Sequence, residues 1–189
     1  MYAVFPLSIV VLPEESVALH LFEPRYRQLY QDYKDGKPFV ILYSGKDGHS
    51  KVGSLVFINE TIKEFPDGTI DVVVKGIKPI QIINFLELYP NKLYSAVQGE
   101  LLNLYDEPND AVIEQAVLYF NSVKKKINTN QIISTYSIAN MLCLEEEKKQ
   151  EILGSKSEAE VNTFLLNELK LLAKMYSQEM NLNERFFLN

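Results

Sequence analysis

The sequence predicts an α+β domain in which a β-rich first part gives way to a helical second part. Up to residue 105 the apolar residues fall in short runs punctuated by Gly, Pro, Asp and Asn, as strands and turns are. From residue 106 onward the apolar period becomes helical. The chain has 189 residues and an ordinary apolar content, enough for one domain with a sizeable core. The expected division is a β-rich subdomain over 1–105, with one helix near 24–35, and a helical subdomain over 106–189, the two making one compact unit.

The elements follow in order. VFPLSIVVLPEES (4–16) is an apolar segment interrupted by Pro6 and Pro13. ALHLFEPRYRQLYQ (18–31) turns from strand to helix: Pro24 pushes Glu23 out of the α region and opens the helix at its first turn. Glu23 then stands near the positive end of the helix dipole. Tyr26, Leu29, Tyr30 and Tyr33 recur at helical spacing until Gly36, and Phe22 and Tyr26 are the expected core anchors. FVILY (39–43) and VGSLVFI (52–58) read as strands around the loop SGKDGHS. Pro66-Asp67-Gly68 marks a turn, after which Ile70, Val72 and Val74 alternate with Asp71, Val73 and Lys75. IQIINFLEL (80–88) and YSAVQGELL (94–102) extend the β-rich part. In the helical part Ile113, Ala116, Val117, Phe120, Val123 and Ile127 form one apolar stripe on a helix preceded by Pro108. A short helix is predicted over 130–142 and another over 145–153, ended by Gly154. Ser157 and Glu160 form an S-x-x-E capping box for the last helix, where Val161, Leu165, Leu169, Leu172 and Tyr176 share a face.

Charge and motif content exclude several chemistries. A formal net charge of -6 opposes binding to a phosphate backbone, and Lys124-Lys125-Lys126 falls at a predicted helix end, where cations suit the dipole. The start lacks the basic region of a signal peptide, and no apolar run approaches the roughly 18 residues of a membrane span, so a soluble cytoplasmic protein is expected. Cys143, the single cysteine, reads as a buried apolar position. His20 and His49 have no ligand-spaced partners; His20 reads as structural and His49 as an exposed loop residue. SGKDGHS lacks the glycine spacing and the Ser or Thr of a phosphate loop and reads as a tight hairpin. No G-x-S-x-G elbow occurs, Ser155-Lys156 reads as a connector, and Glu145-Glu146-Glu147 as a solvated helix start. Catalytic, metal and cofactor residues are thus all expected to be absent, and the chain is not expected to be an enzyme.

FPL (5–7), VVLP (10–13) and ALHLFEPRYRQL (18–29), with FEPRY (22–26) intact, resemble the opening signature of the N-terminal substrate-binding domain of the ATP-dependent Lon proteases. KVGSLVFI (51–58), DGT (67–69), VVVKGIKPIQI (72–82), YSAVQGELL (94–102), SIANML (137–142), LEEEKKQEIL (144–153) and EAEVNTFLLNEL (158–169) match its later elements in order, so the resemblance covers residues 3–175. Where relatives carry Arg three residues after the central Gly, Pro79 follows Gly76 here. If that Arg pairs with the signature Glu in relatives, Glu23 needs another partner. The resemblance implies a PUA-like pseudo-barrel β subdomain followed by a C-terminal helical bundle. No Walker motif or Ser-Lys peptidase domain occurs in these 189 residues, so Lon's ATP hydrolysis and proteolysis are not expected to carry over.

The function so implied is that of a noncatalytic protein- or peptide-binding module recognising unfolded or exposed apolar segments. Its partners would be unfolded or partly folded polypeptides together with a protease or chaperone, with no nucleic acid, membrane or cofactor. Phe22, Arg25, Tyr30 and Tyr33 are the candidate peptide-binding residues, the tyrosines on condition that they are exposed. Binding would use an apolar groove between the halves or strand addition at an open sheet edge. The alternative is a small-molecule or nucleotide-like ligand in the barrel mouth, an expectation from fold analogy. RNA binding and hydrolysis rank behind it. Phe186, Phe187 and Leu188 either dock back on the domain or meet a partner or second copy.

Overall fold

A computed structural model describes residues 1–46, 48–124 and 134–187, with side chains up to residue 180. The chain forms two units, Met1–Leu104 with Leu144–Gly154, and Tyr105–Cys143 with Ser155–Asn189.

The first unit is a mostly antiparallel sheet with two helices. Its elements are β1 (Tyr2–Leu7), β2 (Ser16–Leu21), α1 (Pro24–Tyr33), β3 (Phe39–Gly45), β4 (Gly48–His49), β5 (Val52–Glu64), β6 (Ile70–Leu86), β7 (Ser95–Leu101) and, from later in the chain, α4 (Glu146–Leu153). β1 pairs antiparallel with β7 and parallel with β3, so β1, β7, β6, β5 and β3 close into a ring. β2 lies on the first part of β6, and the short β4 on β3. The stretch read from sequence as separate strands around Gly76 is one continuous β6. Pro79 is tolerated there because its carbonyl, which accepts from Leu102 N at 3.0 Å, faces the end of the β7 ladder, where a missing N–H costs no pairing.

Strand alternation divides the apolar residues between two clusters. Val4, Val40, Leu42, Leu55, Ile80 and Val97, contributed by all five ring strands, form one. The larger takes the opposite alternation on β1, β3 and β5, with Phe5, Phe39, Ile41 and Val56. It gains Val72 and Val74 because the extra residue Ile77 of β6 shifts the alternation between them and Ile80. Leu21, Tyr26, Leu29 and Tyr30 join it from β2 and α1. Phe22 is not the core anchor the sequence suggests. β2 ends on buried Leu21, so the next side chain faces out, and Phe22 is 61% exposed.

The segment Val10–Glu15 is held from two sides. Gly76 N donates to Glu15 O at 2.9 Å, Glu14 N donates to Gly76 O at 3.0 Å, and a Cβ on Gly76 would lie 2.0 Å from Leu12 O. From the other side Lys149 of α4 donates to Glu15 Oε1 at 2.6 Å and to Val10 O at 3.3 Å, and the Glu146 carboxylate accepts from Val10 N. Glu146 is therefore not the solvated residue that its acidic run suggests, and Lys149 is only 9% exposed. These contacts explain why α4, assigned by sequence to the helical part, forms a unit with the sheet.

The second unit holds α2 (Asp110–Ser122), α3 (Thr135–Leu142) and α5 (Glu158–Phe187). Asn109 caps α2, its side chain accepting from Val112 N at 3.0 Å. The buried stripe of α2 is Val112, Ala116 and Phe120, so Val112 rather than Ile113 takes the first position. It meets Val161, Leu165 and Leu169 of α5, all fully buried. Asn162 of α5 links these elements by accepting from Asn109 N at 2.7 Å and donating to Glu107 O at 3.0 Å. Ser157 accepts from Glu160 N at 3.2 Å, whereas the Glu160 carboxylate accepts from Lys156 N, so half of the expected capping box forms. The reciprocal box is instead at Ser134 and Ser137 of α3. Burial in this unit pushes the Tyr136 phenol up to about 12. Cys143 is exposed rather than buried, because it ends α3 in the left-handed conformation (φ 51°) and so leaves the buried face. Residues 130–133, Lys125, Lys126, Ile127 and Leu188, and the side chains of Phe186 and Phe187, lie outside the described residues.

Two substitutions test this framework by urea unfolding. Gly76→Ala is expected to cost on the order of 3 kcal/mol, since backbone rather than a flexible side chain must move. Lys149→Met is expected to cost about 2 kcal/mol, less than for a fully buried pair because Glu15 keeps 19% of its side chain in solvent.

Candidate functional site

The candidate site is built on α1 and the hairpin between β5 and β6. Pro24 occupies the first turn of α1, and Glu23 precedes it in extended conformation (φ -70°, ψ 140°), the geometry a residue before proline adopts. Glu23 accepts from Arg25 at 2.8 Å, so its partner comes from its own signature rather than from the position of Pro79. The Arg25 guanidinium also lies 4.6 Å from the centre of the Tyr26 ring, and Tyr26 stacks on Phe5.

The hairpin turns where the Asp-Gly signal predicts. Asp67 Oδ1 accepts from Thr69 N at 3.0 Å and from Thr69 Oγ1 at 2.8 Å, which holds its carboxyl below the usual range. Gly68 adopts φ 83° and leaves room for Arg27, which donates to Asp67 O at 3.1 Å. Between α1 and the hairpin runs an open groove of about 340 Å³, lined by Arg27, Gln28 and Gln31 on one side and by Glu64, Phe65 and Thr69 on the other. Phe65 also belongs to a surface aromatic cluster. Its ring meets the edge of His20 at 6.2 Å, His20 stacks with Phe22 at 6.1 Å, and Lys63 Nζ lies 4.5 Å from the Phe65 centroid. His20 is fixed by its cross-strand partner Asp71, Nδ1 to Oδ1 at 2.6 Å. Exposed Ile62 adds apolar surface on the same hairpin.

The four sequence candidates separate in this setting. Phe22 is exposed and Arg25 half-exposed, at the start of α1. Tyr30 is 2% exposed, its hydroxyl donating to Glu64 at 2.7 Å and bonding Thr61 at 3.1 Å, so it does not meet the exposure condition. Tyr33 is half-buried, edge-on to Phe39 and Tyr94. Phe65 was missed because its position before a Pro-Asp-Gly turn signals a bend and nothing about which side chain lies across from it. The His20–Asp71 pair depends on strand register, which no local motif reports.

On its other side α1 is clamped by the segment before β7. Gln28 Oε1 accepts from Leu93 N at 2.7 Å, Lys92 pairs with Asp32 at 2.7 Å, and Tyr94 donates to Asp32 at 2.7 Å. Burial would raise the Asp32 carboxyl, but the bonds from Lys92 and Tyr94 outweigh it and hold the group below its ordinary value. Burial and the Asp32 charge push the Tyr94 phenol well above its own.

A second cavity, of about 900 Å³, lies at the β3–β4 hairpin and is lined by residues including Tyr43, Lys46, His49, Ser50 and Gln150. His49 stacks on Phe85 at 4.6 Å, Gly48 takes φ 100°, and Ser44 and Gly45 pair with His49 and Gly48 in antiparallel fashion; Asp47 of the expected SGKDGHS hairpin lies outside the described residues. Among the described residues no group of three His, Cys, Asp or Glu side chains could hold a metal, and no helix is long and apolar enough to cross a membrane.

Residues 1–169 match the family model of the substrate-binding domain of ATP-dependent protease La (LON). Among solved structures the fold is similar to a Lon N-terminal domain protein from Xanthomonas campestris, at 18% identity and a TM-score of 0.67, covering 87% of this chain and 96% of that one. It is similar also to the N-terminal domain of the Mycobacterium avium complex Lon protease, at 14% identity and a TM-score of 0.66, covering 89% and 97%. No curated protein matches in sequence.

The clamp predicts a pH dependence. Because the folded carboxyl of Asp32 is depressed, its contribution is complete at neutral pH and is lost as pH falls through the ordinary Asp range, about 3.9, and below. Tyr94→Phe removes one of the bonds holding Asp32 down. Melting temperatures measured from neutral to acid pH should therefore be lower for Tyr94→Phe at pH 7 and fall less steeply with acid than those of the parent.

Proposed function

This chain belongs to the family of ATP-dependent protease La (LON) substrate-binding domains, and from that premise we propose that it is a noncatalytic module that binds polypeptide, taking up unfolded or exposed apolar segments. The observation that carries the reading is Phe22. A large aromatic side chain 61% exposed at the start of a well-anchored helix gains more from an apolar partner than from water. Phe65 and His20 extend that surface to the groove beside α1, and Arg25, half-exposed and paired with Glu23, lies at the start of the same helix. Tyr30 and Tyr33 serve the site from beneath, as supports of the helix. We read the ring of strands as a PUA-like pseudo-barrel and α2, α3 and α5 as a C-terminal bundle. The proposed setting is cytoplasmic, with a protease or chaperone receiving what the module binds.

The test is capture by the purified chain on an array of apolar and polar peptides from unrelated proteins. Apolar and aromatic peptides are expected to be retained selectively. Phe22→Ser should weaken that binding about tenfold, with the melting temperature unchanged. Tyr30→Phe should leave binding in place and lower stability by about 1.5 kcal/mol, the worth of a hydrogen bond to a charged group. An array that retains no peptide overturns the proposal.

A further inference from the structure

The first unit has an edge strand that lacks the usual protection. β2 pairs with β6 on one side, and among the described residues no strand lies on its other side. Natural edges are blunted by Lys, Pro, bulges or inward charges. Ser16–Leu21 reads SVALHL, with no Lys, Arg or Pro, and its single titratable residue, His20, is tied to Asp71 across the sheet.

Which backbone groups face outward follows from the ladder. Gly76 N donates to Glu15 O, so the Glu15 carbonyl faces β6, and along the regular ladder that begins at Ser16 the backbone groups of every second residue counted from Glu15 face β6 as well. Val17, Leu19 and Leu21 therefore bond to β6, while the N–H and C=O groups of Ser16, Ala18 and His20 point away from it. A row of unpaired donors and acceptors at strand spacing is matched by water or by another extended backbone. The side chains say what that backbone would carry. Val17 and Leu19 are half-buried at the fringe of the larger core cluster, so a strand laid beside β2 completes their burial if its own residues on that face are apolar. Ser16 and Ala18, small and exposed on the other face, put no steric limit on the neighbouring strand. Exposed Phe22 lies just past the end of the row.

We propose that β2 is a docking edge for an extended polypeptide with alternating apolar residues, which adds to the sheet as a strand beside Ser16–Leu21. This deepens, and rests on, the reading of the chain as a polypeptide-binding module. Backbone pairing supplies affinity independent of sequence, and the Val17–Leu19 strip with Phe22 selects apolar side chains. Such a receptor accepts many unrelated segments, provided they are unfolded enough to be extended.

The probe is a synthetic peptide in which Val alternates with Thr, and the readout is amide hydrogen exchange of the full chain with and without it. The amides of Ala18 and His20 are expected to gain about tenfold protection or more, while those of Val17, Leu19 and Leu21, already bonded, change little. N-methylation of alternate peptide amides should abolish binding in one phase of the alternation and spare it in the other. Ala18→Pro removes an outward donor without touching the β6 ladder, and should weaken the peptide about tenfold while the unfolding transition is kept. If that variant unfolds, the exchange and N-methyl readouts decide. Capture of apolar peptides on the array without protection of Ala18 and His20 by any of them overturns strand addition and leaves the binding module standing. An array that retains nothing overturns both. Protection of the same amides in the protein alone, together with a dimeric mass, means that a second copy occupies the edge, and overturns the proposal.

Discussion

The first unit depends on the contact between Gly76 and the backbone of Leu12. A side chain at Gly76 would occupy the position of the Leu12 carbonyl, so the approach is available to glycine alone. Through it the Val10–Glu15 segment is bonded to β6 in the middle of the sheet, and the same segment presents the Glu15 carboxylate and the Val10 carbonyl to Lys149. A helix contributed from more than a hundred residues later in the chain is thereby fixed to the strands. The charges are secondary to the geometry: with the loop displaced, Glu15 and Lys149 would be desolvated without meeting.

That anchored base gives α1 a rigid seat. The helix is bolted to the β5–β6 hairpin through Tyr30, Glu64, Arg27 and Asp67, and to the segment before β7 through Gln28, Asp32, Lys92 and Tyr94. Its buried face carries Tyr26, Leu29 and Tyr30. With the helix immobilised on both flanks, Phe22 is presented at low entropic cost, the condition under which an exposed aromatic contributes most to binding. By contrast, Asn59–Glu64 of β5 is exposed along its length.

For the proposed binding of many unrelated segments, this division would have a physical advantage. Pockets shaped for particular side chains reject most sequences, whereas a strand edge and a few fixed aromatics reject chiefly what is folded or charged. The acidic balance of the chain, formal net charge -6, would oppose acidic segments in the proposed binding.

The sequence by itself determined the order and kind of the elements. Pro24 opening α1, Asp67-Gly68 turning the hairpin and the Val161–Leu165–Leu169 stripe of α5 are local signals, because proline geometry, the left-handed conformation of Gly68 and helical periodicity act within a few residues. The FEPRY signature marked where the candidate site begins, but it could not sort its own residues. Tyr30 and Tyr33 share helical spacing with Tyr26, and only the packing of β5 against α1 buried Tyr30 and tied its hydroxyl. Phe22 and Cys143 were misplaced for a related reason: apolar residue types suggest burial, while the end of β2 and the left-handed close of α3 turned both side chains outward. The Lys149–Glu15 pair, the contact of Phe65 with His20 and the pairing of β2 with β6 were decided by tertiary structure alone. Each joins residues far apart in sequence, whose meeting depends on strand register and chain closure rather than on any local preference.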